Sequence, residues 1–237
     1  KVPDDINGLY NLSLSYKFLK KYNDSNLYLK KVLSINNNHY ESLCFIAGNY
    51  YKLNDLKNSK DYFLKAYALN FKDINNLSNI SRIYIFENNL DKAETFINKA
   101  LELDPKAFSV WNILGAAYAG LGHLDAALES YRQVIKLKPD YSMAFFNMGS
   151  VFQEKDDLQQ AINSYKKALS LQPNYYEAQY NIGLAFQEQC QFGKAIDAYN
   201  KALSIRPDHA EAYYNMGIVL KDQGKSEEAI EAYKKAL

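Results

Sequence analysis

The sequence predicts an all-α solenoid built from seven helical hairpins. Three observations predict it: prolines at a constant interval, columns of small residues at the same interval, and two apolar faces of helical period within each interval. Pro105, Pro139, Pro173 and Pro207 are each 34 residues from the next, and a fixed period of that length is the signature of stacked supersecondary units. Aligned on these prolines, the repeats begin at Ile6, Tyr40, Ile74, Phe108, Ser142, Tyr176 and Ala210. They occupy residues 6–39, 40–73, 74–107, 108–141, 142–175, 176–209 and, cut short, 210–237, after a lead-in of residues 1–5.

Within a repeat, position 8 is always small (Ser13, Ala47, Ser81, Gly115, Gly149, Gly183, Gly217), and so is position 20 (Ser25, Ser59, Ala93, Ala127, Ala161, Ala195, Ala229). Position 11 is large (Tyr16, Tyr50, Tyr84, Tyr118, Phe152, Phe186, Leu220), as is position 24 (Leu29, Phe63, Ile97, Tyr131, Tyr165, Tyr199, Tyr233). Positions 4, 7, 8 and 11 share one face of a 3.6-residue helix, and positions 17, 20, 24, 27 and 28 share another. This predicts helix A over positions 2–14 and helix B over 18–31, with a polar or glycine-bearing turn between them. Proline at position 32 cannot continue a helix and ends helix B. The first two repeats carry Asn37 and Phe71 there, so the helix B ends are least defined in those repeats. One such hairpin cannot bury its own apolar face, and stacked neighbours can.

Composition narrows the function classes. The 28 basic and 27 acidic residues leave a net charge of +1, without the basic excess of a nucleic-acid binder. No apolar run approaches a membrane span. Cys44 and Cys190 fall four repeats apart, too far for a disulfide in a solenoid. Free thiols suit a reducing compartment, so a cytoplasmic location is expected. His39, His123 and His209 occupy separate repeats and do not converge on a metal. No phosphate-binding glycine loop or nucleophile–base pair is present. No cofactor, metal site or catalytic residue is expected, and Asp156–Asp157 reads as a solvated or capping pair in an inter-helix turn.

Composition also changes along the chain. Residues 1–107 contain 17 Asn and 6 Ala, and residues 108–237 contain 7 Asn and 18 Ala. Alanine is the better helix former, so the first three repeats form the weaker end. A divergent amino-terminal end or a fusion near residue 107 would each produce the change. The chain starts at Lys1 and stops at Leu237 without a polar capping helix, so it reads as a piece of a longer protein.

The columns resemble the tetratricopeptide repeat (TPR): a large residue at 4, Leu at 7, Gly at 8, Tyr at 11, Ala at 20, an aromatic at 24, Ala at 27 and Pro at 32. The resemblance implies a right-handed superhelical solenoid of helix-turn-helix repeats, with the A helices lining a concave groove in which partners bind. Positions 2, 5, 6, 9, 12 and 13 would face that groove. Position 6 is Asn in five repeats, Asn11, Asn79, Asn147, Asn181 and Asn215. An Asn side chain offers an acceptor and two donors and can read a peptide backbone. The pattern is similar to the asparagine ladder of the repeat domain of O-linked N-acetylglucosamine transferase; the alternative is that these residues bond within the solenoid. Phe146, Tyr180 and Tyr214 at position 5 would either wall the same stretch or serve as partly buried spacers between repeats. Glu177, Glu211, Glu154, Glu188 and Asp222 around it are either a solvated face or a set that favours a neutral or basic segment, whereas Lys17, Lys52 and Arg82 occupy the amino-terminal half. The chaperone-binding subtype holds a terminal carboxylate with Lys at 5, Asn at 9 and basic groups at 2 and 6. This chain lacks that set, and no such clamp is expected.

The leading expectation is a protein-interaction scaffold for an extended peptide or partner protein, with no catalysis of its own. Rivals are the substrate-recruiting arm of a larger enzyme such as a glycosyltransferase, end-to-end self-association through the uncapped last repeat, and an engineered or fused scaffold.

Overall fold

A computed structural model describes residues 5–237, which form fourteen α-helices and no strand. They pair as α1 (Ile6–Phe18) with α2 (Tyr22–Ile35), α3 (Tyr40–Lys52) with α4 (Leu56–Leu69), α5 (Ile74–Phe86) with α6 (Leu90–Leu103), and α7 (Phe108–Gly120) with α8 (Leu124–Leu137). The series continues as α9 (Ser142–Glu154) with α10 (Leu158–Leu171), α11 (Tyr176–Glu188) with α12 (Phe192–Ile205), and α13 (Ala210–Asp222) with α14 (Ser226–Ala236). The odd-numbered helices are the A helices of the repeats and the even-numbered ones the B helices.

The chain divides into two compact units, one ending at Ile113 and the other beginning at Leu114. The boundary lies inside α7, close to the change in composition. In the N-terminal unit α1 to α6 pack in order, each on the next; in the C-terminal unit α8 to α14 do the same.

The A helices begin and end one residue earlier than apolar periodicity predicts, and so do the B helices. The turn chemistry explains the shift. At every A–B junction the amide two residues past the helix cap donates to the carbonyl of position 11, as in Asp55 to Tyr50, Asp157 to Phe152 and Lys225 to Leu220, each 2.9 Å. That is the Schellman arrangement, which requires a left-handed residue just beyond the cap. Position 15 supplies it throughout: Lys20, Asn54, Asn88, Gly122, Asp156, Cys190 and Gly224 have φ between 55° and 77°. The next residue is the N-cap of helix B, and in three repeats its side chain caps: Asp55, Asn89 and Asp157, the last accepting from the Gln160 amide at 3.1 Å while Asp156 makes the left-handed turn.

Helix B ends at the same register in repeats with and without proline: α2 at Ile35 and α4 at Leu69. The expected uncertainty there is corrected. Asn36 and Asn70, one position before the missing prolines, accept with Oδ1 from the amides of Asn38 and Lys72, both at 3.1 Å. This side-chain turn competes with the helix and stops it.

Packing follows the columns. A Cβ on Gly183 would stand 2.5 Å from the buried ring of Tyr199, and Gly149 has the same relation to Tyr165 at 2.6 Å. The glycine column of the C-terminal unit is therefore a seat for the tyrosine column of the facing helix.

Candidate functional site

The expected groove positions of the C-terminal unit form a continuous half-exposed face on α9, α11 and α13, joined across repeats by side-chain hydrogen bonds. Helix periodicity puts positions 5, 6, 9, 12 and 13 on one side of each A helix, opposite the stripe that packs into the hairpin. Asn181 Nδ2 donates to the Tyr165 hydroxyl, one repeat earlier, at 3.3 Å. That hydroxyl lies 3.1 Å from Gln153 Oε1 and 3.3 Å from Ser150 Oγ. Gln153 Nε2 in turn donates to Glu188 Oε1 at 2.8 Å, crossing to the next A helix. Asn215 Nδ2 donates to the Tyr180 hydroxyl at 2.7 Å, again across one repeat. The Tyr199 hydroxyl donates to Gln187 Oε1 at 2.6 Å.

Two expectations are refined. Asn181 and Asn215 do bond within the stack, each half-buried and spending one amide N–H there. Asn147 is likewise half-buried and engaged. Tyr165 and Tyr199, which periodicity places on the apolar face of helix B, are core by their rings and part of the face by their hydroxyls. Burial raises the pKa of both hydroxyls above the usual phenol value, so they stay protonated donors at neutral pH.

The position-5 aromatics stand beside this network. Phe146 stacks on Tyr175 with ring centres 4.8 Å apart and tilts against Tyr165 at 5.6 Å. Tyr180 packs on His209 at 4.9 Å and Tyr199 at 5.8 Å. Tyr214 touches Tyr233 and is 56% exposed. The His209 ring is itself placed by the Ala212 amide, which donates to Nδ1 at 3.1 Å. The signal for Gln153, Gln187 and Ser150, which sequence reasoning did not single out, is their place at positions 12 and 9, next to a tyrosine whose hydroxyl must find a partner.

The N-terminal unit has a different A-helix face. Asn11 is exposed and Asn79 half-buried, but Phe45 takes position 6 between them, with Lys17 Nζ 3.8 Å from its ring centre. Phe86 lies against Tyr51, and Phe18 is 88% exposed. This face is aromatic and cationic where the other is amide and acidic. Among the described residues no group of three or more His, Cys, Asp or Glu is placed to hold a metal, and no helix is long and apolar enough to cross a membrane.

Comparison with known proteins agrees with this architecture. Tetratricopeptide repeat profiles match residues 6–39, 40–73, 74–107, 108–141 and 174–237, and a TPR repeat profile matches 149–189. No curated protein sequence matches the chain. Among solved structures, MamA is 30% identical, with a TM-score of 0.61 over 66% of this chain and 92% of its own. YrrB, described as a TPR protein with an unusual peptide-binding site, is 25% identical, with a TM-score of 0.57 over 73% of this chain and 90% of its own. The Cut9–Hcn1 assembly of the APC/C shares the fold at 20% identity, with a TM-score of 0.75 over 95% of this chain and 45% of its own. From its repeat columns, its helical hairpins and these matches, the chain belongs to the tetratricopeptide repeat family.

Proposed function

We propose that this chain is a protein-interaction scaffold that holds an extended segment of a partner along the A-helix face of its last three repeats. The observation that carries the reading is the row of oriented amides: Asn181 and Asn215 each donate one N–H across a repeat, which fixes the orientation of the amide at successive repeats. A preoriented amide can pair with a peptide backbone without first losing side-chain freedom, whatever side chains the partner carries. The peptide-binding site named for YrrB supports the same reading by analogy.

Replacing Asn147, Asn181 and Asn215 together with Ala tests it. Each lost hydrogen bond is worth about 1 kcal/mol, so affinity for a bound segment falls roughly 100-fold, while helicity is retained because Ala is the better helix former. Unchanged affinity with intact circular dichroism contradicts the proposal.

A further inference from the structure

We infer that the segment held by this face is rich in arginine. The inference rests on the binding reading above and names the chemistry of its ligand. Three features of the C-terminal unit lead to it.

The first is charge. Glu154, Glu177, Glu188, Glu211 and Asp222 lie at positions 2 and 13 of α9, α11 and α13, and Lys221 is the one basic residue at the groove positions of those helices. Among the described residues, none of the five carboxylates is held by a lysine or arginine. The second is the balance of donors and acceptors. Amide N–H groups of Asn181, Asn215 and Gln153 are turned inward onto Tyr165, Tyr180 and Glu188. One N–H of each of these amides is spent in this way, and the five carboxylates are acceptors alone, so a ligand that supplies only donors fits them; guanidinium has five and no acceptor. The third is the aromatic wall of Phe146, Tyr180 and the exposed Tyr214. A planar, weakly hydrated guanidinium stacks on such rings better than an ammonium does.

The molecule contains this recognition once already. Arg206 lies 5.0 Å from the ring centre of Tyr176, donates to its hydroxyl at 2.5 Å and to Asp208 at 3.2 Å. An aromatic ring and a carboxylate thus hold one guanidinium within the same unit.

The test is fluorescence anisotropy of the whole chain with labelled short peptides alternating Ala with Arg, Lys, Ser or Glu, at low and physiological salt. The Arg–Ala peptide is expected to bind at least roughly tenfold more tightly than Ser–Ala, Lys–Ala to fall between them, and Glu–Ala to bind least. The variant E154Q/E188Q/D222N is expected to weaken Arg–Ala roughly tenfold and flatten its salt dependence. E227Q/E228Q/E231Q, on the B helix of the last repeat, is expected to leave it unchanged. Equal binding of Arg–Ala and Ser–Ala, both lost in the triple Asn→Ala variant, overturns the arginine inference and leaves the groove standing. Binding that survives E154Q/E188Q/D222N, or that depends on the B-helix carboxylates, overturns it too. Failure of every peptide overturns both readings. A concentration-dependent mass abolished by E154Q/E188Q/D222N makes a second copy of the chain the occupant, and the inference falls.

Discussion

The two units solve one packing problem in two ways. In the C-terminal unit, position 24 is tyrosine and position 8 is the glycine that seats its ring, while position 23 is small: Ser130, Ser164, Ala198 and Ala232. In the N-terminal unit the aromatic moves back one residue. Tyr28, Tyr62 and Phe96 at position 23 stack on Tyr16, Tyr50 and Tyr84 at position 11, with ring centres 5.4 to 5.8 Å apart. Position 24 is then Leu29, Phe63 or Ile97, and position 8 gains a side chain: Ser13, Ala47 or Ser81. The columns are therefore coupled. The functional consequence lies in the tyrosine hydroxyl, which only the C-terminal arrangement delivers to the A-helix face.

The units also differ in what they bury. Asn49 Nδ2 bridges to Ser25 Oγ and Asn26 Oδ1, both at 2.9 Å, at positions where the C-terminal unit packs Val151 with Ala127 and Leu128. Asn26 Nδ2, Asn49 Oδ1 and Asn76 Oδ1 are buried without partners, and all three lie in the N-terminal unit. Each unmet group costs about 1–3 kcal/mol, which adds a tertiary reason to the low helix propensity of this asparagine-rich half.

The largest effect is expected from breaking the C-terminal pairing. Gly183→Leu pushes a branched side chain into the Tyr199 ring and should lower unfolding free energy by about 3 kcal/mol, read by urea denaturation followed with circular dichroism. Gly183→Ser should cost less. Transplanting the N-terminal residues of columns 8 and 24 together, as G183S/Y199L, should recover about 1–2 kcal/mol relative to the sum of the single changes. Additive costs in that cycle would show that columns 8 and 24 are independent.

A smaller effect of opposite sign is expected from making the N-terminal unit resemble its neighbour. N26I/N49V removes both amides together and should stabilise that unit by about 1–2 kcal/mol. N49V alone strands Asn26 and should not. Trp111, the single tryptophan, belongs to the N-terminal unit and donates to the Pro105 carbonyl at 3.0 Å, so its fluorescence in urea reports the change. A lower midpoint for the double variant would mean that the polar bridge stabilises the unit more than apolar packing does.

Much of this was legible in the sequence. The period, the two helices per repeat and the small and aromatic columns follow from spacing alone, because stacking imposes the same size constraint on every repeat. The asparagine row was legible for the same reason. Two things were not. The stop of α2 and α4 is made by Asn36 and Asn70 acting on amides two residues ahead, in a stretch where asparagine is too common to stand out. The hydroxyls of Tyr165 and Tyr199 belong to rings that periodicity marks as core, and periodicity describes where a residue points, not how far its polar end reaches.

Hydrogen–deuterium exchange of the whole chain, with and without a bound peptide, tests the central claim most directly. Protection concentrated on α9, α11 and α13 is the predicted result. Protection confined to α10, α12 and α14 would place the ligand on the B-helix side and contradict the account.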